Sequence, residues 1–244
     1  MQIKGKWALV TGASRGVGKE IASALAKQGC NLILQARQAK NCEAVINEIA
    51  NPDIQIHSLS AELNDQRQVD RLIDDALAVS STIDIVYNNA AVMTPYREDF
   101  WRFPVEDYEQ SFAVNVIALA RICQRIVPLM IKQGWGRVIN VTSGIADEPE
   151  LTPYAISKAA VDKYVRDLVK KLEGTGVAMN LLDPGWLRTD LGGPHAPNAV
   201  ESVVPGALIP ALIEKPFSGK LFCAQDYVGM SLEKAMEKYL KEAG

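Results

Sequence analysis

The chain reads as an α/β protein, a doubly wound, seven-stranded parallel sheet with helices on both faces. Short runs rich in Val, Ile and Leu alternate with longer amphipathic stretches from Trp7 almost to the end, as expected where parallel strands are buried on both faces and joined by crossover helices. A glycine-rich turn follows the first run and opens a helix at once, which suits a phosphate. No Gly/Ser-rich linker divides the 244 residues, and no repeat with a period of about 20 to 50 residues recurs. Residues 1–244 are therefore expected to form a single domain.

The predicted strands are Trp7 to Thr11, Asn31 to Ala36, Ile54 to Leu59, Ile83 to Asn88, Gly136 to Thr142, Val177 to Leu182 and Lys220 to Ala224, most of them punctuated by Gly, Pro or Asn. Apolar residues at helical spacing predict crossover helices over Gly18 to Gln28, Cys42 to Ala50, Gln66 to Ser80, Asp107 to Lys132, Pro153 to Leu172 and Ala199 to Glu214. The last stretch, Ser231 to Ala243, begins on a good N-cap and sets Leu232, Ala235, Met236, Tyr239 and Leu240 among Lys and Glu. It is an amphipathic helix, either laid over the domain's own surface or serving as a flap or subunit contact.

Composition narrows the function. Lys and Arg number 26 against 29 Asp and Glu, a formal charge of −3, so no positive surplus is available to track a nucleic-acid backbone. Charges are expected to interrupt every apolar run before it could span a bilayer, and strand-like residues begin at Trp7. The expectation is a cytoplasmic protein that engages neither membrane nor nucleic acid. Cys30, Cys42, Cys123 and Cys223 are scattered, and His57 and His195 stand far apart, so no metal site is expected and the thiols read as reduced packing residues.

The turn Thr11-Gly12-Ala13-Ser14-Arg15-Gly16-Val17-Gly18 leads into Lys19-Glu20-Ile21. Small residues let backbone N–H groups approach a pyrophosphate, and the helix N-terminus adds about half a positive charge there. The spacing G-x-x-x-G-x-G differs from the G-x-G-x-x-G of the common dinucleotide fingerprint; a tight strand-to-helix turn would also use glycine. At this loop the chain begins to resemble the short-chain dehydrogenase/reductase family, which carries T-G-x-x-x-G-x-G here and has a Rossmann-like fold. An acidic residue at the end of the second strand would bind a ribose 2′-hydroxyl and repel a 2′-phosphate. Leu34-Gln35-Ala36-Arg37 has none, and Arg37 with Arg15 offers guanidinium groups for the extra phosphate, so NADP(H) is the expected cofactor. Glu62 and Leu63 resemble the family's adenine-contacting segment, with Glu62 where Asp is usual.

Four later motifs arrive in the family's order. Asn88-Asn89-Ala90-Ala91 ends the fourth strand and resembles N-N-A-G, with Ala91 in place of glycine; alanine resists positive φ, so that backbone must be ordinary or strained. Asn115 lies within a long, otherwise apolar helix, where an amide needs a partner. Ser143 ends the fifth strand, and Tyr154-Ala155-Ile156-Ser157-Lys158 puts a phenol and an ammonium on one face of the next helix. Pro184-Gly185-Trp186-Leu187-Arg188-Thr189 follows the sixth strand. The resemblance implies that Tyr154 is the general acid or base, Lys158 lowers its pKa and holds the nicotinamide ribose, Ser143 orients the carbonyl, and Asn115 supports a proton relay. It also implies that Asn89, Ala90, Ala91, Pro184, Gly185, Leu187 and Thr189 border the cofactor. Working near pH 7 asks for about 3 pH units, or ~4 kcal/mol, of phenolate stabilisation.

Substrate identity is not fixed by these motifs. Asp147, Glu148 and Glu150 between Ser143 and Tyr154 are either a solvent loop or a rim hostile to anions. Pro194 to Pro197 reads as a mobile loop before a helix, and His195 as exposed. Alanines 118, 120, 159 and 160 allow close helix packing and a homodimer or homotetramer. The expected substrate is a small carbonyl or alcohol. The alternatives are a 3-oxoacyl-carrier-protein reductase, with Arg121 and Arg125 meeting an acidic carrier, and a non-catalytic NADPH sensor.

Overall fold

The computed structural model describes residues 3–214 and 217–243. In chain order the elements are β1 (Trp7–Thr11), α1 (Gly16–Lys27), β2 (Asn31–Ala36), α2 (Glu43–Ile49), β3 (Ile56–Ser60), α3 (Gln66–Val79), β4 (Ile85–Asn88), α4 (Val105–Phe112), α5 (Leu119–Gln133), β5 (Gly136–Val141), α6 (Thr152–Leu172), β6 (Val177–Asp183), α7 (Ile209–Leu212), β7 (Leu221–Cys223) and α8 (Leu232–Ala243). The seven strands form one parallel sheet in the order β3-β2-β1-β4-β5-β6-β7. The order reverses direction between β1 and β4, and a doubly wound sheet opens a crevice at that point, outside the carboxyl ends of its strands.

Alternate residues of each strand feed two cores. Ala8, Val10, Leu32, Leu34, Ile85, Tyr87, Ile139 and Leu182 pack with α1, the 200–213 segment and α8. Leu9, Ile33, Val86, Val138, Met179 and Leu181 pack with α3, α5 and α6 on the other face. Burial of both faces explains why the strands read as unbroken apolar runs, each fully buried Leu or Ile contributing about 1.5–3 kcal/mol. Arg137 is buried at the amino end of β5 and donates to the carbonyls of Gly136, Gly176, Ile213 and Glu214, tying off the edge opposite the crevice.

Three expectations are corrected. The helix expected over 199–214 is instead short 3₁₀ turns at Val200–Val203 and Gly206–Leu208 followed by the single turn of α7. Pro205 has no N–H to donate and Gly206 is a poor helix former, yet Val203, Ala207, Leu208, Ile209 and Ala211 are all buried. Secondly, Val105–Gln133, continuous through a π-helical turn at Ala113–Ala118, is long and apolar enough to cross a membrane by length and composition. Its charges do not interrupt the run as expected, but Ile122, Cys123, Ile126 and Met130 are packed inside the core. Thirdly, the segment read as mobile is held in place: Arg188 donates to the carbonyls of Ala196 and Pro197, and Leu187 bridges to Asn198. Of the two readings of α8, the structure shows a helix on the domain's own surface. Ala235 and Tyr239 are buried, the latter 5.5 Å from the Phe222 ring, and Ser231 Oγ accepts from Lys234 N–H.

Candidate active site

The glycine turn sits at the reversal point. Gly12 and Gly16 have φ of +64° and +57°, conformations that strain any side chain. A Cβ on Gly18 would lie 2.3 Å from the Gly12 carbonyl oxygen and 2.6 Å from Asn89 Nδ2, so turn, helix and β4 end approach as closely as backbone allows. No side chain caps α1, which leaves the first-turn N–H groups, those of Gly16, Val17 and Gly18, without an intrahelical partner. This cradle fits a dinucleotide pyrophosphate: it combines an uncapped helix N-terminus with glycines that a Cβ would obstruct.

Gln35 and Thr11, outside the predicted set, hold the cradle together with Asn89 and Ala90. Gln35 Oε1 accepts from Gly12 N–H at 2.9 Å while its Nε2 donates to the Ala61 carbonyl. Thr11 Oγ1 accepts from the N–H groups of both Asn89 and Ala90 and donates to the Tyr87 carbonyl. Asn89 Nδ2 donates to the Thr11 carbonyl at 2.8 Å. Ala90 lies directly against Gly12. Ala91 is unstrained, because among the described residues only Ala50 and Asp147 are non-glycine residues with positive φ. Ser14 lies half-buried in the turn.

Arg15 points across to the segment after β6, where Asp190 pairs with its Nε at 2.8 Å. The two side chains are 63% and 74% exposed, so water and salt weaken the pair to a small contribution. Arg37 is exposed at the end of β2 with no ion-pair partner among the described residues. Glu62 is exposed beyond β3, its N–H donating to Gln68 Oε1, and Leu63 is buried beside it.

The second half of the site gathers at the ends of β5 and β6. Asn115 lies in the π-helical turn between α4 and α5, a local widening often found at functional sites. Its Oδ1 accepts from Val92 N–H and its Nδ2 donates to the Val92 carbonyl and to Ser157 Oγ, each at 2.9 Å. Ser157 in turn donates to the Tyr154 carbonyl. The amide that an apolar helix seemed to strand is thus fully partnered, and it links the β4 loop to α6.

Tyr154 and Lys158 occupy the first two turns of α6 and are both buried, with Lys158 Nζ 5.7 Å from the phenol ring centroid. Lys158 donates to the Val141 carbonyl at 2.8 Å. Ser143 Oγ accepts from Ile145 N–H at 3.2 Å, and the hydroxyl is near enough to the phenol to favour its ionisation. Burial pushes the Tyr154 phenol up to about 12, against the smaller lowering from Ser143, with the Asp183 carboxylate adding to the rise. Burial also brings the Lys158 ammonium down to about 8, opposed by Asp162. With no cofactor beside it, the phenol is thus held in its protonated form by burial.

After β6, Pro184 and Gly185 are fixed by Gln225, whose Nε2 donates to the Pro184 carbonyl at 2.7 Å. Leu187 is buried, and Thr189 comes against Gly16, its Cγ2 3.6 Å from where a Gly16 Cβ would stand. The fold thus brings the turn, the β4 end, Ser143, Tyr154, Lys158 and Thr189 to one sheet edge, with Asn115 beneath. Thr11, Gln35, Ser157, Asp183, Asp190 and Gln225 were not singled out from sequence. Most of their partners are far away in sequence: Thr11 meets Tyr87 and Asn89, Gln35 meets Gly12 and Ala61, Ser157 meets Asn115, Asp190 meets Arg15 and Gln225 meets Pro184, pairs that only the folded chain brings together.

Comparison with known proteins accords with this geometry. Residues 6–199 match the family described as short chain dehydrogenase. A 3-oxoacyl-[acyl-carrier-protein] reductase of Aquifex aeolicus is 30% identical over 194 residues, 78% of this chain and 77% of that protein. The 7alpha-hydroxysteroid dehydrogenase of Escherichia coli is 30% identical over 192 residues, 78% of this chain and 74% of its own. Among solved structures, a short chain dehydrogenase from Pseudomonas syringae superposes with a TM-score of 0.83 at 26% identity, covering 92% of this chain and 96% of that one. A metagenomic short-chain oxidoreductase in complex with NADP gives 0.70 at 27% identity, covering 76% and 84%. The chain belongs to the short-chain dehydrogenase family.

Proposed function

We propose that this protein is an NADP(H)-dependent oxidoreductase that interconverts a small carbonyl and an alcohol, with Tyr154 as general acid and base. The observation that carries the reading is the convergence of buried Tyr154 and Lys158 with Ser143 at the sheet edge that also holds the α1 glycine cradle. Gly12, Ser14, Arg15, Gly16, Val17 and Gly18 would hold the pyrophosphate. Glu62, Leu63, Asn89, Ala90 and Ala91 would line the adenosine side, and Lys158, Pro184, Gly185, Leu187 and Thr189 the nicotinamide side. NADP(H) is preferred because the end of β2 carries no carboxylate and an exposed Arg37 with no ion-pair partner among the described residues.

The cofactor supplies or accepts the hydride when bound. In reduction, Ser143 orients the carbonyl oxygen by hydrogen bonding and Tyr154 gives it a proton. In oxidation, Tyr154 takes the hydroxyl proton, and the Lys158 ammonium stabilises the phenolate that must first form. Asn115 fixes the β4 loop to α6 and so keeps Tyr154 in register with Ser143. The test is absorbance-monitored oxidation of NADPH and NADH across ketones, aldehydes, quinones and 3-oxoacyl thioesters, with Tyr154→Phe as control. Turnover lost in the variant while NADPH binding persists is expected. Cofactor binding without turnover on any of these would leave the sensor reading.

A second reading, a 3-oxoacyl-carrier-protein reductase, is favoured by the name of the Aquifex relative. Against it, the arginines that would meet an acidic carrier are engaged: Arg121 is bidentate on Asp70 at 2.6 and 3.0 Å, and Arg125 reaches Asp74 at 2.6 Å. Carrier-linked and free thioesters turned over at equal kcat/KM would exclude it. We also propose a homodimer or homotetramer, with exposed Ile117, Leu129 and Ile131 on the α5 side and Ile156 on α6 as contacts. Of the alanines considered for this face, Ala118 is packed inside instead. Sedimentation showing only monomer at micromolar concentration would overturn it.

A further inference from the structure

Thr142 directly follows β5 and is buried; its N–H donates to the Leu182 carbonyl at 2.9 Å, and the chain then leaves the sheet through Ser143 and Gly144. A buried hydroxyl requires a partner, and the Thr142 hydroxyl donates to Asp162 Oδ1 at 2.5 Å, the length of a charge-assisted bond to a carboxylate. Asp162 lies on α6 one turn beyond Lys158 and two beyond Tyr154, on the side of the helix that these positions share. Lys158 itself donates to the Val141 carbonyl at 2.8 Å. Consecutive residues at the end of β5 are thus bonded to consecutive turns of α6, and the proposed reaction has so far used only the lysine.

We propose that Asp162 is a positioning residue: by holding Thr142 it fixes the end of β5 against α6, and so places Ser143, the next residue in the chain, beside Tyr154 on that helix. The inference rests on the proposed oxidoreductase function and adds Asp162 and Thr142 to it. Ser143 must meet the same carbonyl oxygen that Tyr154 protonates, so the two hydroxyls need a fixed separation although one comes from a strand end and the other from a helix start. The loop that joins them is poorly suited to set it, since no residue from 144 to 151 is buried. Asn115, through Ser157, ties α6 to the β4 loop; the Asp162 bond ties the same helix to β5, the strand that delivers Ser143. Asp162 also favours the charged form of Lys158, so the test has to separate the bond from the charge.

The test compares wild type with Thr142→Val and Asp162→Leu, which break the bond, and with Thr142→Ser and Asp162→Asn, which keep a hydroxyl donor and an oxygen acceptor. Thermal melting verifies that each is folded, and the isosteric Thr142→Val carries the test if Asp162→Leu is not. In NADPH-dependent reduction at neutral pH, kcat is expected to fall about 10- to 100-fold in the two bond-breaking variants. NADPH affinity, read by fluorescence titration, is expected to hold, and Thr142→Ser and Asp162→Asn are expected to recover most of the rate. Asp162→Asn as slow as Asp162→Leu would make the charge rather than the bond the working feature and overturn the proposal. Folded bond-breaking variants that melt earlier but keep the wild-type kcat would overturn it too, leaving a bond that serves stability alone. Native hydrogen exchange reads the tie without turnover: amides 143–145 should exchange about tenfold faster in Thr142→Val, with those of 12–18 unchanged. An inactive wild type would defeat the oxidoreductase reading, whereas unchanged exchange at 143–145 would defeat this one.

Discussion

Lys158→Met removes a buried ammonium while keeping most of the side-chain volume, and the structure says what that should do to stability. Burial brings this amine from its usual 10.5 down to about 8, and a displacement of about 2.5 pH units corresponds to about 3 kcal/mol of preference for the neutral form. Between about pH 8 and 10.5 the unfolded chain holds this proton and the folded protein does not, so wild-type stability rises with pH through that window. Below pH 8 the folded protein bears the full cost of the buried charge. The Met variant lacks that cost but loses the bond to the Val141 carbonyl, worth about 1.5–3 kcal/mol for a charged donor in general. Part of that bond is already counted in the amine's pKa, so a net gain of about 1–2 kcal/mol at pH 7 is expected. Urea unfolding of the two proteins at pH 7 and at about pH 9.5 measures it, and the variant's advantage should shrink by roughly 2 kcal/mol between them. Thiol and phenol ionisation at high pH is common to both proteins and cancels in the difference. A variant less stable than wild type at pH 7, with a gap that does not change with pH, would refute the reasoning and show that the ammonium is held by the fold rather than tolerated by it.

Three further outcomes are expected. Gly18→Ala places a methyl 2.3 Å from the Gly12 carbonyl oxygen; the turn must open, lowering thermal stability by about 1–3 kcal/mol and weakening NADPH binding at least tenfold by fluorescence titration. Unchanged affinity would show that the cradle does not hold the cofactor. Arg37→Ala should weaken NADPH by roughly tenfold while leaving NADH unaffected, and equal losses for both would remove Arg37 from phosphate recognition. Burial raises the Cys30 and Cys123 thiols to about 12 and Cys42 to about 11, so at neutral pH Ellman's reagent should reach only half-buried Cys223 until the protein unfolds. Fast reaction of two or more thiols in the native protein would contradict this packing.

The strands were legible because a parallel strand buried on both faces leaves an unbroken apolar run: β1 and β2 begin and end where the pattern does, and the others lie within two or three residues of it. The segment from 199 to 214 failed for an instructive reason. Its apolar spacing correctly reported which residues are buried, but burial at helical spacing is also met by successive 3₁₀ turns once Pro205 and Gly206 interrupt the hydrogen-bond ladder. The chemistry-bearing residues were readable because they occur as local motifs at strand ends. Residues that fix those motifs in place were not. Gln35 registered only as the absence of a carboxylate, whereas it bridges Gly12 and Ala61 through side-chain bonds that exist only after β1, β2 and β3 are aligned. The widening of the helix at Asn115 leaves no periodicity signal at all; its trace was one amide in an apolar stretch.

The same burial that makes the site costly also separates the two directions of its proposed chemistry. Removing water pushes Tyr154 up and Lys158 down, so each group is driven towards its neutral form. Between neutrality and about pH 8 the protein rests as a phenol beside an ammonium. That state can donate a proton to a carbonyl oxygen directly. The reverse step needs a phenolate, and a buried phenolate without a charged Lys158 would be an unpaired anion in a low-dielectric site. Oxidation therefore requires the two titrations to overlap, with Tyr154 ionised while Lys158 is still protonated. Without a ligand they do not overlap, because Lys158 loses its proton near 8 and Tyr154 near 12. Whatever binds beside them must lower the phenol or raise the amine.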